Sequence, residues 1–494
     1  MAAHFANVIP PRLLMWRRVR EYAVPPSMIE TAAARRAAGD WAGACAAARI
    51  DVDLDPRAVR DRHGTETAAR LRADLRLLAP DLLRWHMPRI APDGRLRPGL
   101  TLSLARYRHP GGTPLHLVVR TPPARADAGQ RMSLALWEES GRYPAGHHPH
   151  PRPDRRFRLD LHRHLWDAAL SAELAPRSGA RGVRTGLDRA GLDHVGLDHV
   201  GLDHVGLDSG WAVDRWAAEA ELLLRAEGRS REAFTVRLGT GGPTVLELLA
   251  PDDSHAPVCR PVRRPPPPQE VSALPVLPEA AARVLPDLEL VRAGLLEPSR
   301  LHPLVARALV TGAGLAAAPD LAEVPGPDEL FGGSGDPHRV ECRGATHRIA
   351  LRDGVLVAVD HDPAQLRREE LLVALGGPPL PCLRAIDAAH RSPEALPAVR
   401  ERLTHGDVTG ALAVVEGLLG PGAVLREGPL RDALESAAAR RVDHGLYRSA
   451  LIADHHAAVR SADAPRRPRP GRRTPYPLLS KRGNRARPRT GQAR

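Results

Sequence analysis

Five of the chain's 23 histidines, His147, His148, His150, His162 and His164, fall within 18 residues. Side chains at i and i+2 share one face of a β-strand, so His162 and His164 would stand together with Asp160 beside them. Two imidazoles and a carboxylate are a donor set for a transition metal, and a metal held this way can activate water for hydrolysis. A strand face turned to water accounts for the same three residues, with 147–151 as loop. Asp160, His162 and His164 are the metal candidates of this sequence. No other motif calls for a cofactor.

A second chemistry is electrostatic. The formal charge is +13, and residues 464–494 hold ten Arg and one Lys with no acid. The other 463 residues therefore carry 60 basic and 58 acidic groups, a net of +2. Arg466, Arg467, Arg469, Arg472, Arg473, Lys481 and Arg482 would attract nucleic acid through phosphate contacts that weaken steeply with salt. This segment is rich in proline and has few apolar residues beyond Leu478 and Leu479, so the expectation is a disordered tail. Base stacking on a folded platform is not supported, because only 3% of residues are aromatic.

Other reactive constellations fail on residue type. The only lysine is Lys481, between Ser480 and Arg482, which removes the Gly-Lys-Ser/Thr phosphate loop and leaves no body lysine for a Schiff base. Residues 308–317 resemble the opening of a short-chain dehydrogenase in Thr311-Gly312-Ala313-Gly314. The later glycines are missing there, Pro319 interrupts the following helix, and a helix ending at Gly312 is the simpler reading. Asp51, Asp53 and Asp55 have calcium-loop spacing, but Pro56 and Arg62 stand where that loop needs Gly and Glu. Cys45, Cys259, Cys342 and Cys382 are too far apart for a Cys-x-x-Cys site. That sparse usage suits a reducing, cytoplasmic setting. Arginine in place of lysine, with abundant Ala, Gly and Pro, reflects the codon pressure of a high-G+C, bacterial genome.

The elements that would position these groups follow from periodicity. Residues 28–87 read as helices, with Leu71, Leu75 and Leu78 on one face and Pro80 opening the last of them. From 99 to 163 the period becomes two, giving an antiparallel meander of about four strands with one buried face, the last strand spanning Phe157, Leu159 and Leu161. A helix at 211–227 and a hairpin from Phe234 to Leu249 follow. In the second half, Asp353-Gly354 forms the two-residue turn of a hairpin over 347–360, and helices fill 363–461.

Two internal echoes stand out. Gly39-Asp40 and Gly406-Asp407 each separate two helices, with Ala44 and Ala411 five positions after the glycine. The corner resembles the turn of a tetratricopeptide helix pair, but two distant copies make no array, and helical hairpins that converge on one good turn explain both. Gly-Leu-Asp recurs at 186, 191, 196, 201 and 206 and resembles the pentapeptide-repeat family. Five copies make barely one coil of such a solenoid, so a loop is expected.

The sequence thus predicts an α+β protein of helical modules around antiparallel β-meanders, in at least two domains. A loose arm over 1–27, with Met15 or Met28 as alternative starts, precedes an N-terminal domain over 28–259. A proline-rich linker over 260–272 leads to a C-terminal domain over 273–463 and the tail. No apolar run is long enough to span a membrane. The function expected is a soluble, non-enzymatic interaction or scaffold protein with an unknown protein partner. Nucleic-acid association through the tail is the alternative, and a metal-dependent hydrolase the second alternative.

Overall fold

A computed structural model describes residues 9–449, except 109–112, 128, 140–147, 180–209, 230–232, 239–241, 250–256, 263–265, 314–338, 343–344, 353–354, 359–361, 372–395, 420–426 and several positions between 363 and 370. The chain falls into two compact units, Met1–Gly445 and Leu446–Arg494. The class is α+β, as expected. The Gly-Leu-Asp repeat and the basic tail lie outside the described residues.

Proline sets the entry of the first helices. In α1 (Pro11–Tyr22), α2 (Pro26–Ala37), α4 (Pro56–Leu77) and α5 (Pro80–His86) it occupies the first turn, where its preset φ helps and its missing N–H leaves no bond unmade. Between α2 and α3 (Trp41–Ala47), Gly39 turns the chain at φ 75°, and Asp40 caps α3 by accepting the Gly43 N–H at 2.8 Å. Leu71, Leu75 and Leu78 are at most 1% exposed, as the helical spacing requires. Gly64 breaks α4 with φ 83°.

The main sheet contains β4 (Thr101–Tyr107), β5 (Leu115–Arg120) and β6 (Met132–Glu138) as an antiparallel meander, with Val119 opposite Leu134. Strand β1 (Ile50–Asp53) adds to it in parallel, pairing Val52 with Leu134. Both faces are covered: Leu102, Ser103 and Leu104 are all fully buried. This differs from the single buried face expected. The segment after β6 lies along the edge of β4 through Asp154 N–H to Thr101 O and Asp160 N–H to Ser103 O. That segment makes only one bridge, Ser103 to Arg158, and is not the fourth strand the alternation at 157–161 suggests.

A ribbon of β2 (Arg89–Ile90) and β3 (Arg95–Leu96) leaves α5. Further on, α6 (Leu174–Arg177) precedes α7 (Trp216–Ala226), which packs on the antiparallel sheet β7 (Ala233–Arg237), β8 (Pro243–Leu249) and β9 (Val258–Pro261). Trp216, Ala220 and Leu224 meet Phe234, Val236 and Leu246 in one core, which also takes Leu277 and Ala281. Four helices follow: α8 (Pro268–Ala273), α9 (Glu279–Ala282), α10 (Pro286–Arg292) and α11 (Pro303–Ala313). Val305 and Leu309 of α11 join the core of the first sheet. Residues on both sides of 260–272 thus share cores, and the linker expected there does not separate them.

Strands β10 (Arg339–Cys342), β11 (Ala345–Arg352) and β12 (Val355–Ala358) form an antiparallel sheet, with Arg352 opposite Val355 on either side of the expected turn. Helices α12 (Leu396–Thr404) and α13 (Val408–Leu419) repeat the first corner, with Gly406 at φ 79° and Asp407 accepting the Gly410 N–H at 3.3 Å. The two corners touch: Arg49, just after α3, donates to His405 O and to Asp407 Oδ1, both at 3.0 Å. Helix α14 (Pro429–Arg448) ends the described chain.

The arm is where expectation and structure differ most. Residues 11–22 are helical, and Leu13, Met15, Val19 and Arg20 are buried. No described helix is long and apolar enough to cross a membrane.

Candidate functional site

Helix α1, the end of α5 with the β2–β3 ribbon, the stretch 157–178, and the segment 278–286 enclose a cavity of about 660 Å³. This volume suits a small organic ligand. Its walls are apolar at Met15, Trp16, Phe157, Leu159 and Leu285, and Leu14, 42% exposed, stands at the margin. Eight lining residues are arginine, whereas one, Glu279, is a carboxylate.

Most of these arginines are tied to acids set behind the wall. Arg20 lies between the rings of Trp16 and Trp85, 4.9 and 4.5 Å from their centroids. It donates to Asp287 at 2.9 and 2.5 Å, while the Trp85 indole N–H also donates to Asp287 at 2.9 Å. Burial pushes the Asp287 carboxyl up, but Arg20 and these hydrogen bonds outweigh it and hold the pKa below its usual value. Arg158 grips Asp160 twice at 2.8 Å, and Arg177 donates to both oxygens of Glu219 at 2.9 and 2.7 Å. Arg12 pairs with Glu289, and Arg18 lies 3.4 Å from Glu401.

Arg89 and Arg97 differ. Arg89 is 7% exposed and donates Nη2–H to Arg84 O at 2.7 Å, while its Nε and Nη1 have no hydrogen-bond partner among the described residues. Burial, with Arg20 nearby, lowers its pKa to about 9. The Nε of Arg97 is likewise buried and unpartnered, as is Nε2 of His86, whose pKa burial lowers to about 4. All three belong to residues 86–97, where Arg97 N–H donates to Pro88 O and closes the ribbon. Periodicity could not find them, because a buried arginine on a short ribbon looks like any surface arginine. The available signal was three arginines around the Pro92-Asp93-Gly94 turn.

The metal candidates are engaged otherwise. His162 and His164 come together, rings 5.8 Å apart, but in a 3₁₀ turn and 1% and 3% exposed, so the solvated strand face is corrected. His162 bonds Arg158 O at 2.9 Å and Glu219 at 3.1 Å, and His164 Nδ1 lies 3.3 Å from Arg177. Asp160 faces Arg158. Among the described residues no three His, Cys, Asp or Glu side chains are grouped to hold a metal.

A serine–histidine contact exists on the main sheet, with Ser103 Oγ 2.9 Å from His116 Nδ1 beside a cleft of about 300 Å³. Burial, with Arg106 nearby, lowers the His116 pKa to about 4, which makes it a weak base at neutral pH. Ser103 is fully buried in mid-strand, out of reach of an incoming carbonyl. The contact therefore serves to satisfy two polar groups within the sheet.

The nucleic-acid candidates Arg466, Arg467, Arg469, Arg472, Arg473, Lys481 and Arg482 lie outside the described residues. No family model, curated protein or solved structure matches the chain.

Proposed function

We propose that this chain is a non-enzymatic cytoplasmic interaction protein that holds a small molecule in the arginine-lined cavity and serves a protein partner through its helical modules. One observation carries the reading: the cavity walls are cross-braced by buried ion pairs between elements far apart in sequence, Arg20 with Asp287 and Arg177 with Glu219. Such bracing gives a preformed cleft, and the acids it engages are held ionised by arginine rather than poised for proton transfer. Analysis of the natively purified protein by mass spectrometry, before and after solvent extraction, tests this. A small organic molecule released unchanged from a folded chain is the expected result. Chemical conversion of that molecule by fresh protein would contradict a non-enzymatic role.

A second reading rests on the +11 charge of residues 464–494. It makes the tail a salt-sensitive nucleic-acid tether. Deleting 464–494 should then abolish retention on immobilised DNA at low salt, and unchanged retention would end it.

A further inference from the structure

Arginines around the cavity direct their N–H groups at acids behind the wall: Arg20 at Asp287, Arg158 at Asp160 and Glu227, Arg177 at Glu219. His164 is placed differently. It lines the cavity at 3% exposure, and its Nδ1 accepts a hydrogen bond from Arg177 Nη1 at 3.3 Å. The proton of the neutral imidazole therefore sits on Nε2. Burial, with Arg177 and His162 nearby, holds the His164 pKa well below its usual value and keeps the ring neutral. Its Nε2 has no hydrogen-bond partner among the described residues and, unlike Nε2 of His86, is not sealed from the cavity. The ring is also held in place, because Glu219 receives both Arg177 and Arg215 and fixes the arginine that orients it. An N–H donor facing an apolar space is unfavourable until an acceptor meets it.

We infer that the cavity binds an apolar organic molecule through one uncharged acceptor, a carbonyl or ether oxygen, that takes the Nε2–H of His164. The inference rests on the proposed ligand-holding role and adds the chemical class of the ligand and its point of attachment. A neutral imidazole offers one N–H and no charge, so it matches a single uncharged oxygen. Met15, Phe157, Leu159, Leu165 and Leu174 surround the rest of the molecule with hydrocarbon.

Equilibrium dialysis of the full-length chain with benzophenone and diphenylmethane tests it, because the two differ only by a carbonyl in place of a methylene. Benzophenone should bind at least about threefold more tightly, the worth of one hydrogen bond. Its carbonyl stretch, read by infrared difference spectroscopy, should move to lower wavenumber on binding. His164→Phe should erase both the preference and the shift while leaving diphenylmethane binding unchanged. His164→Gln keeps an N–H donor and should restore part of both. Equal binding of the two compounds by the wild type, or an unmoved carbonyl stretch, overturns the inference while a ligand cavity stands. So does a preference that survives in His164→Phe. The two wild-type measurements decide the matter should His164→Phe not fold. If neither compound binds up to its solubility limit, both readings fall.

Discussion

Arg20 and Asp287 lie 267 residues apart in the chain and meet as a doubly hydrogen-bonded pair, with side chains 1% and 0% exposed. The pair fastens α1 to α10 behind the cavity wall and makes residues 11–22 part of the folded body.

Breaking this pair should be severe, since one partner's removal strands the other's charge in the interior. Arg20→Ala is expected to destabilise by about 3–5 kcal/mol in urea denaturation. A chain begun at Met28 would lack Arg20 and expose the cavity wall, and should not fold to a single cooperative transition. A loss below about 1 kcal/mol for Arg20→Ala would show that the pair does not hold α1 in place.

The two glycine corners should respond differently to the same change. Both Gly39 and Gly406 have positive φ, so an alanine costs about 1–2 kcal/mol in backbone strain at either place. An added Cβ at Gly39 meets nothing within 4 Å, whereas at Gly406 it runs into Gly129 O. Gly406→Ala should therefore be the more destabilising and should speed tryptic cleavage at Arg400 and Arg402 within α12. Equal losses in the two variants would contradict the packing described.

Acid should destabilise in two stages. Burial lowers the pKa of His405 to about 4, with Arg89 adding to the effect, and burial also lowers His86 and His116 to about 4. The unfolded chain takes up protons near 6.5 while the native histidines stay neutral, so stability is complete above pH 6.5 and falls towards pH 4. His405, 0% exposed, contributes up to about 1.4 kcal/mol per pH unit in that window. Glu219, lowered by His162 and Arg177 against its own desolvation, adds a second loss as pH falls below about 4.5. His405→Gln should shrink the stability difference between pH 7 and pH 5, and an unchanged difference would refute the assignment.

A buried arginine with no acid partner among the described residues should burden the fold. Arg89→Met keeps the apolar stem, removes the buried charge and gives up one hydrogen bond to Arg84 O. The variant should be more stable than wild type by at least about 1 kcal/mol. A variant less stable by that amount would make Arg89 a structural strut.

The sequence was informative where local chemistry decides the shape. Gly39-Asp40 and Gly406-Asp407 announce their corners because a positive φ and an Asp cap are both written in the residue types. The hairpin β7–β8, the meander β4–β6 and the Arg352–Val355 register likewise follow from alternation. What alternation misses is partner choice at a distance. Strand β1 joins β6 in parallel across some 80 residues, and its Asp51 and Asp53 look like a loop. Phe157, Leu159 and Leu161 alternate like a strand yet only brace β4, because the backbone turns there, with Leu161 N–H donating to Arg158 O and His162 N–H to Leu159 O. The cavity was invisible for the same reason, since its arginines are buried by elements far away in sequence.

Hydrogen–deuterium exchange of the full-length chain, with and without the small molecule recovered from the natively purified protein, addresses the central claim most directly. Protection is predicted in α1, in residues 86–97 and in 278–286, the three stretches that converge on the cavity. Protection confined to other parts of the chain, with these three unchanged, would contradict it.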